Sequence, residues 1–195
     1  MDLLNLGGPV MWVLLLVSIV TLALIIERCI VYSKMPVPKG ITPLSAREDV
    51  LQTLEGVPGL ASFAAALKAP SYDEERVSLA GQHVIDLMEV RLDLLGAMAK
   101  LATLLGLLGT VLGMIDTFSA ISSATGGIDM TSLAEGLWQA LLTTAAGLTI
   151  AIPAGLALVA FEARVRRMAQ TLTIAATRAR DPAVTPPGTS HGGAS

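Results

Sequence analysis

LATLLGLLGTVLGMIDTFSAI (residues 101–121) and GLWQALLTTAAGLTIAIPAGLALVAF (residues 136–161) are the two apolar runs that decide the fold of this chain. The first run contains one charged residue, Asp116, and the second contains none. A helix needs about 20 apolar residues to cross the ~30 Å hydrocarbon core of a membrane, so each run is long enough to do so. The two runs therefore predict two membrane-spanning helices joined by a short polar loop.

A third apolar run lies near the start of the chain, from Val10 to Ile26. The residues before it include Asp2 and no Lys or Arg, whereas a secretory signal peptide begins with a positively charged region, so we interpret this run as a retained span. The chain of 195 residues is 53% hydrophobic and only 15% charged, as is typical of integral membrane proteins. We therefore predict an all-α integral membrane protein with three transmembrane helices.

The positions of the basic residues predict the orientation of the chain. All 13 Lys and Arg residues lie in 28–100 or in 164–180. Cytoplasmic segments carry an excess of these residues, so we predict a periplasmic N-terminus and a cytoplasmic C-terminus. The predicted segments, in chain order, are a periplasmic N-terminus (1–9), a first span (10–32), a cytoplasmic helical segment (33–97), a second span (98–121), a periplasmic loop (122–134), a third span (135–161), a cytoplasmic helix (162–180) and a disordered tail (181–195).

The predicted cytoplasmic segment contains signals for further helices. A capping box at Ser45–Glu48 predicts a short helix that ends near Gly56, and a second short helix follows at Leu60 to Lys68. Another capping box at Ser71–Glu74 opens a stretch without proline that lasts until Pro153. We therefore predict one continuous helix from about Asp73 to Ile121, which extends the second span into the cytoplasm.

Small and hydroxylated residues share one face of each central span. They recur at steps of three and four residues: Thr103, Gly106, Thr110, Gly113 and Thr117 in the first of these spans, and Gly136, Ala140, Thr144, Gly147, Ala151 and Ala154 in the second. Such faces let helix backbones approach closely, and we assign Gly106, Gly113, Gly147 and Ala151 to helix packing. The same faces are equally compatible with the wall of a protein-lined cavity, and the periodicity alone does not decide between the two.

The order of residues is more specific than the periodicity. GLLGTVLGMIDTF (106–118), followed after a short loop by GLWQALLTTAAGL (136–148) and AIPA (151–154), resembles the second and third membrane helices of the MotA/TolQ/ExbB family. These proteins are the ion-conducting subunits of bacterial energy-transducing motors, and the chain is most similar to ExbB and next to TolQ. The resemblance implies a homo-oligomeric ring, a pentamer, in the inner membrane. It also implies a single-span ExbD/TolR-like partner with a membrane aspartate, and a TonB/TolA-like protein.

The resemblance also assigns residues to an ion pathway. It places Thr110 and Thr144 where the family keeps threonines that line the pore. Where ExbB-type chains carry a glutamate, this chain has Gln139, with Glu135 one turn earlier and Thr143 one turn later on the same line. We hypothesise that Glu135 and Gln139 jointly replace the family glutamate. Because Glu135 lies near a helix start, a simple position at the outer interface is an alternative.

Three further charged residues lie near the ends of the predicted spans. Asp116, close to the outer end of the second span, either draws cations to the outer mouth of the pathway or caps the helix end in water. Glu27 and Arg28 end the first span at its inner surface. Side chains at adjacent helix positions do not face each other, so we interpret Glu27 and Arg28 as separate interfacial anchors.

The predicted function is ion conduction, of protons or alternatively sodium, that drives outer-membrane transport through the implied partners. The alternatives are a TolQ-like role in envelope maintenance, a flagellar-stator-like role and a non-conducting membrane scaffold. We expect the chain not to be an enzyme. Its single cysteine and two distant histidines predict neither a metal site nor a cofactor. A net charge of -3 without a basic block gives no indication of a nucleic-acid partner, whereas the apolar runs predict the lipid bilayer as the environment of the chain.

Overall fold

The computed structural model describes residues 8–38, 41, 47–69, 73–123 and 130–180, and the regular structure in these ranges is α-helical throughout. In chain order the helices are α1 (Gly8–Lys34), α2 (Arg47–Glu55), α3 (Ala61–Lys68), α4 (Glu74–Glu89), α5 (Leu92–Ser123) and α6 (Met130–Arg180). Segments long and apolar enough to cross a membrane lie in α1, in the run from α4 into α5, and in α6. These helices confirm the predicted all-α chain with three candidate spans.

The described chain divides into two compact units. Unit I combines the residues up to Arg28 with Arg91–Ala160, and unit II combines Cys29–Val90 with the residues from Phe161 onward. Unit I therefore holds the three apolar runs of the sequence, except for Phe161, the last residue of the 136–161 run. Unit II holds the short helices α2, α3 and α4 together with the last part of α1 and the last part of α6.

The part of α1 that belongs to unit I has one packed side. Pro9 occupies the first turn, where a missing backbone N–H costs nothing. The residues at steps of three and four are buried: Met11, Leu14, Val17, Thr21 and Leu24. Large apolar residues between them, such as Trp12, Leu16 and Ile19, are exposed. An apolar helix with an exposed apolar side suits a lipid environment, where that side meets hydrocarbon instead of water.

The predicted continuous helix from Asp73 to Ile121 is wrong at one point. Helix α4 ends at Glu89 and α5 begins at Leu92. Between them Val90 is extended, with φ −44° and ψ 128°, and Arg91 adopts a left-handed conformation with φ 68°. This conformation costs a residue with a Cβ atom roughly 1–2 kcal/mol, and neither glycine nor proline marks the position in the sequence. Side-chain contacts on both sides of the break stabilise it, as described below for Tyr32 and Arg91.

The short helices lie close to their predicted positions, but one cap differs. Asp73 caps α4: its carboxylate accepts hydrogen bonds from the backbone N–H of Glu75 at 3.1 Å and of Arg76 at 3.4 Å. The N-cap residue therefore lies two positions after the one that the sequence predicted. Ser45 and Ser71, with which the two predicted boxes begin, lie outside the described residues, as does the predicted tail 181–195.

Tyr32 connects three helix segments within unit II. Its side chain is buried, and its hydroxyl donates a hydrogen bond of 2.7 Å to the carbonyl oxygen of Met88, in the last turn of α4. The carbonyl oxygens in the last turn of a helix receive no hydrogen bond from their own helix, so the Tyr32 hydroxyl satisfies one of them. The Tyr32 ring lies 5.1 Å from the ring of Phe161, and Arg164 Nη2 donates to the Tyr32 carbonyl at 2.9 Å.

Replacing Tyr32 by phenylalanine should lower the free energy of unfolding by about 1–3 kcal/mol, because the buried Met88 carbonyl loses its donor while the ring packing is kept. Reversible unfolding in mixed micelles measures the loss. Thr171→Val is the matched control, since the Thr171 hydroxyl is exposed and donates to Arg167 of its own helix. Equal stability of Tyr32→Phe and the unmodified chain would show that the bond to Met88 does not support the end of α4.

Candidate functional site

Helices α5 and α6 approach each other within unit I until their backbones touch. A Cβ atom added to Gly147 would lie 2.5 Å from the carbonyl oxygen of Ala102 and 3.0 Å from the Cα atom of Gly106. A Cβ atom added to Gly106 would lie 3.1 Å from the Thr143 carbonyl oxygen and 3.2 Å from the Gly147 Cα atom. Only glycine fits both positions without a shift of backbone. The two glycines therefore set the separation of the helices at this level.

The close approach continues toward the C-terminal end of α5 and the N-terminal end of α6. A Cβ atom on Gly113 would lie 2.9 Å from the Ala140 Cβ atom, and one on Gly136 would overlap the Thr117 hydroxyl. Contacts nearer the C-terminus of α5 are made by residues nearer the N-terminus of α6, which shows that the two helices are antiparallel. The small-residue faces found in the sequence are in contact with each other, and Ala151 lies half-buried one turn beyond Gly147.

Threonine hydroxyls gather around one backbone carbonyl at the centre of this contact. Thr144 Oγ1 lies 2.9 Å and Thr110 Oγ1 lies 3.2 Å from the Gly106 carbonyl oxygen, so either hydroxyl can donate to it. The two hydroxyls also form a hydrogen bond with each other. Each of these side chains is half-buried. The two hydroxyls therefore share one backbone acceptor, the Gly106 carbonyl, and each threonine side chain is partly accessible in the single chain.

The number of protons makes this pair unusual. Each threonine hydroxyl carries one proton but has two acceptor lone pairs. The three contacts among Thr110, Thr144 and the Gly106 carbonyl therefore share two protons. Either Thr110 donates to the carbonyl and Thr144 donates to Thr110, or the roles of the two threonines are exchanged. Two hydrogen-bond patterns of similar geometry are available, and one converts into the other when both hydroxyls rotate.

Thr143 belongs to the same cluster but differs in burial. Its side chain is 2% exposed, and its hydroxyl donates to Ala140 at 2.7 Å and to Gly106 at 3.4 Å. The space for it is provided by Gly109, where an added Cβ atom would lie 2.5 Å from the Thr143 hydroxyl oxygen. Gly109 is not among the small residues that the sequence pattern predicted for helix packing. Its spacing from Gly106 and Gly113, three and four residues, is the signal that could have found it.

The polar residues proposed for the outer part of the pathway are separate from the threonine cluster. Asp116 lies six residues beyond Thr110, about 9 Å along the helix axis, and is exposed. Glu135 is also exposed. Gln139 is half-buried, and its amide nitrogen lies 3.6 Å from where a Cβ atom on Gly8 would be, at the start of α1. The joint replacement of the family glutamate by Glu135 and Gln139 stays a prediction.

Glu27 and Arg28 form one ionic group within unit I together with Arg91, a residue to which the sequence pattern assigned no role. Arg28 Nη2 donates to Glu27 Oε1 at 3.2 Å, and the other carboxylate oxygen of Glu27 pairs with Arg91. The prediction that Glu27 and Arg28 act separately is therefore wrong. Adjacent helix positions diverge, but the guanidinium stem is long enough to bend back to its neighbour. The role of these residues as interfacial anchors stays a prediction.

Comparison with known proteins places this arrangement in a family. Residues 58–174 match the model of the MotA/TolQ/ExbB proton channel family. The biopolymer transport protein exbB1 of Vibrio cholerae is 43% identical over 63 residues, which are 32% of this chain and 28% of that protein. The putative biopolymer transport protein ExbB-like 1 of Synechocystis is 32% identical over 162 residues, or 75% of this chain and 64% of that protein.

The matches thus span less than two thirds of the length of these two relatives. The family match is broader with respect to this chain, because it covers more than half of the residues and includes all the glycines and threonines of the α5–α6 contact. The chain therefore belongs to the MotA/TolQ/ExbB proton channel family and is a multi-pass membrane protein.

Proposed function

We propose that this chain is the proton-conducting subunit of a bacterial inner-membrane motor that uses the proton motive force to energise outer-membrane transport. The family description and the transport names of the two relatives support this class of function. The observation that carries the proposal is the half-buried pair Thr110 and Thr144 over the Gly106 carbonyl. Its open side is where a proton carrier would pass.

The hydroxyl pair is suited to relay a hydrogen bond without becoming charged. A hydroxyl accepts a bond from an arriving water or carboxylic acid and donates its own proton onward. Because two donor patterns of similar geometry share the Gly106 carbonyl, the pair changes from one to the other without leaving a buried polar group unsatisfied. In the low dielectric of a membrane interior such a group is costly, so the shared acceptor lowers the barrier to reorientation.

The residue that carries the proton itself belongs to another chain in this proposal. Residues 136–161 contain no carboxylate, and Asp116 is near the end of the 101–121 run. Ionisable residues inside membrane segments mark the proton relays of pumps and transporters. A single-span partner of the ExbD/TolR type, with a membrane aspartate, would supply such a residue inside a pentameric ring of the present chain. A TonB-like protein would then transmit the motion to the outer membrane.

The predicted orientation gives the direction of the flux. With the N-terminus periplasmic, Asp116 and Glu135 lie at the periplasmic side, where protons enter, and the basic residues lie at the cytoplasmic side. One elementary charge that crosses 100 mV releases ~2.3 kcal/mol, so the passage of a few protons provides enough energy for a conformational step of the partner.

The native mass of the complex, extracted from its host in mild detergent, tests the proposal. Several copies of the chain, expected to be five, together with a small single-span protein are the predicted result. A non-conducting scaffold would also assemble, but would not require that partner. Recovery of the chain as a monomer, or as a ring that never contains a single-span protein, would contradict the motor. The identity of the captured partner also distinguishes an ExbB-type role from a TolQ-type role.

A further inference from the structure

Arg28 is a buried cation at the end of the first apolar run. Its side chain is only 5% exposed, and it follows the Val10–Ile26 run after a single residue. Nη2 donates to Glu27, whereas Nε and Nη1 are buried without a hydrogen-bond partner among the described residues. Buried donors in proteins are nearly always satisfied, so two unsatisfied nitrogens on one guanidinium indicate a missing acceptor.

The charges around Arg28 also do not balance. Glu27 contacts both Arg28 and Arg91, so one carboxylate faces two guanidinium groups. An arginine side chain keeps its proton at any physiological pH, and a cation removed from water is disfavoured unless it is paired. The group Glu27, Arg28 and Arg91 therefore has one positive charge in excess. A water molecule would satisfy the donors of Arg28 but would not neutralise the excess positive charge. An anion would both accept the hydrogen bonds and neutralise the charge.

The chemistry and position of the group favour a phosphate. The planar guanidinium presents parallel N–H donors that match two oxygens of a phosphate group. Arg28 lies where the apolar run ends, which is the level at which the phosphates of lipid headgroups lie beside a spanning helix. The side chains of Glu27 and Arg91 are 37% and 52% exposed, so the group has an open side from which a headgroup can approach.

We propose that Arg28 and Arg91 bind the phosphate of an anionic phospholipid, while Glu27 holds the two guanidinium groups next to each other. The exposed Arg91 makes the first contact with the headgroup, and the phosphate then accepts hydrogen bonds from the unsatisfied donors of Arg28. This site uses none of the residues of the threonine cluster, and it does not depend on the proposed ion conduction.

Native mass spectrometry of the full chain in mild detergent tests the site, with phosphatidylglycerol and phosphatidylcholine as probes. We expect the unmodified chain to retain phosphatidylglycerol at about a tenfold lower lipid concentration than phosphatidylcholine, because the anionic lipid can neutralise the excess charge. Arg28→Gln and Arg91→Gln should each remove this preference. Arg166→Gln is the matched control, since Arg166 is an exposed arginine paired with Glu162 on its own helix, and it should keep the preference.

Further measurements distinguish a lipid phosphate from free phosphate and test whether each variant is folded. Inorganic phosphate at millimolar concentration should not displace the lipid. Displacement would show that the site binds a free anion and would overturn the proposal of a lipid ligand. Arg91 is exposed, so Arg91→Gln remains informative if Arg28→Gln fails to fold, and circular dichroism reports the helix content of each variant. Equal retention of the two lipids by the unmodified chain, or an unchanged preference in Arg91→Gln, would overturn the proposal.

Discussion

Valine at position 110 or 144 is expected to reduce the work output of the motor by about two- to tenfold while the chain still accumulates and assembles. Valine has nearly the shape of threonine but neither donates nor accepts a hydrogen bond. Each substitution removes one member of the hydroxyl pair, so the remaining hydroxyl still donates to the Gly106 carbonyl but can no longer exchange between two hydrogen-bond patterns. The loss of one such hydrogen bond costs about 0.5–1.5 kcal/mol. Growth of the host on a nutrient whose uptake needs the motor measures the output.

The same substitution at Thr149 is the matched control. Thr149 lies on α6 as Thr144 does, but it is exposed and its hydroxyl donates to Ala145 of its own helix at 2.8 Å. Thr149→Val should therefore keep full output. Serine at position 144 retains the hydroxyl and should restore most of the loss seen with valine. Full output from both Thr110→Val and Thr144→Val would mean that the hydroxyl pair has no part in the coupling.

Alanine at position 147 should produce the largest loss of stability among single-methyl changes in the helix pair. The added Cβ atom would meet backbone on two sides, at 2.5 Å from Ala102 and 3.0 Å from Gly106, and backbone cannot move aside as a side-chain tip can. Overpacking of this kind costs about 1–3 kcal/mol, occasionally more. We expect a lower free energy of unfolding in mixed micelles and weaker assembly of Gly147→Ala.

Gly155 offers an internal control on the same helix. A Cβ atom added there would meet nothing within 4 Å. Gly155→Ala should be neutral or stabilising by up to about 1 kcal/mol, since alanine favours helix over glycine. Equal effects of the two substitutions would contradict the close contact of α5 with α6, because the loss would then reflect glycine in a helix and not the position of Gly147.

The spans could be predicted from the sequence because the patterns that reveal them are local. A run without charges and a repeat of small residues at steps of three and four depend on neighbours within a few turns, and both agree with the structure. The break at Val90 and Arg91 could not be predicted in this way. The contacts that stabilise it come from Tyr32 and Glu27, which are 56 and 64 residues away from their partners in sequence.

The threonines show the same limit at the candidate site. Thr143 and Thr144 are adjacent and chemically identical, and the sequence places both on faces that could line a pathway. In the structure Thr143 is fully buried and bonded to backbone, whereas Thr144 is half-buried and shares a carbonyl with Thr110. Burial against a second helix decides this difference, and it depends on Gly109, a residue on the other helix.

Proton flux into vesicles tests the central claim most directly. The complex of this chain with its single-span partner is reconstituted into vesicles that contain a pH-sensitive dye, and a membrane potential is imposed with potassium and valinomycin. Our account predicts acidification above that of protein-free vesicles, and its loss in the Thr110→Val, Thr144→Val double variant but not in Thr149→Val. Flux no greater than in protein-free vesicles, from an intact complex of the unmodified chain, would contradict it.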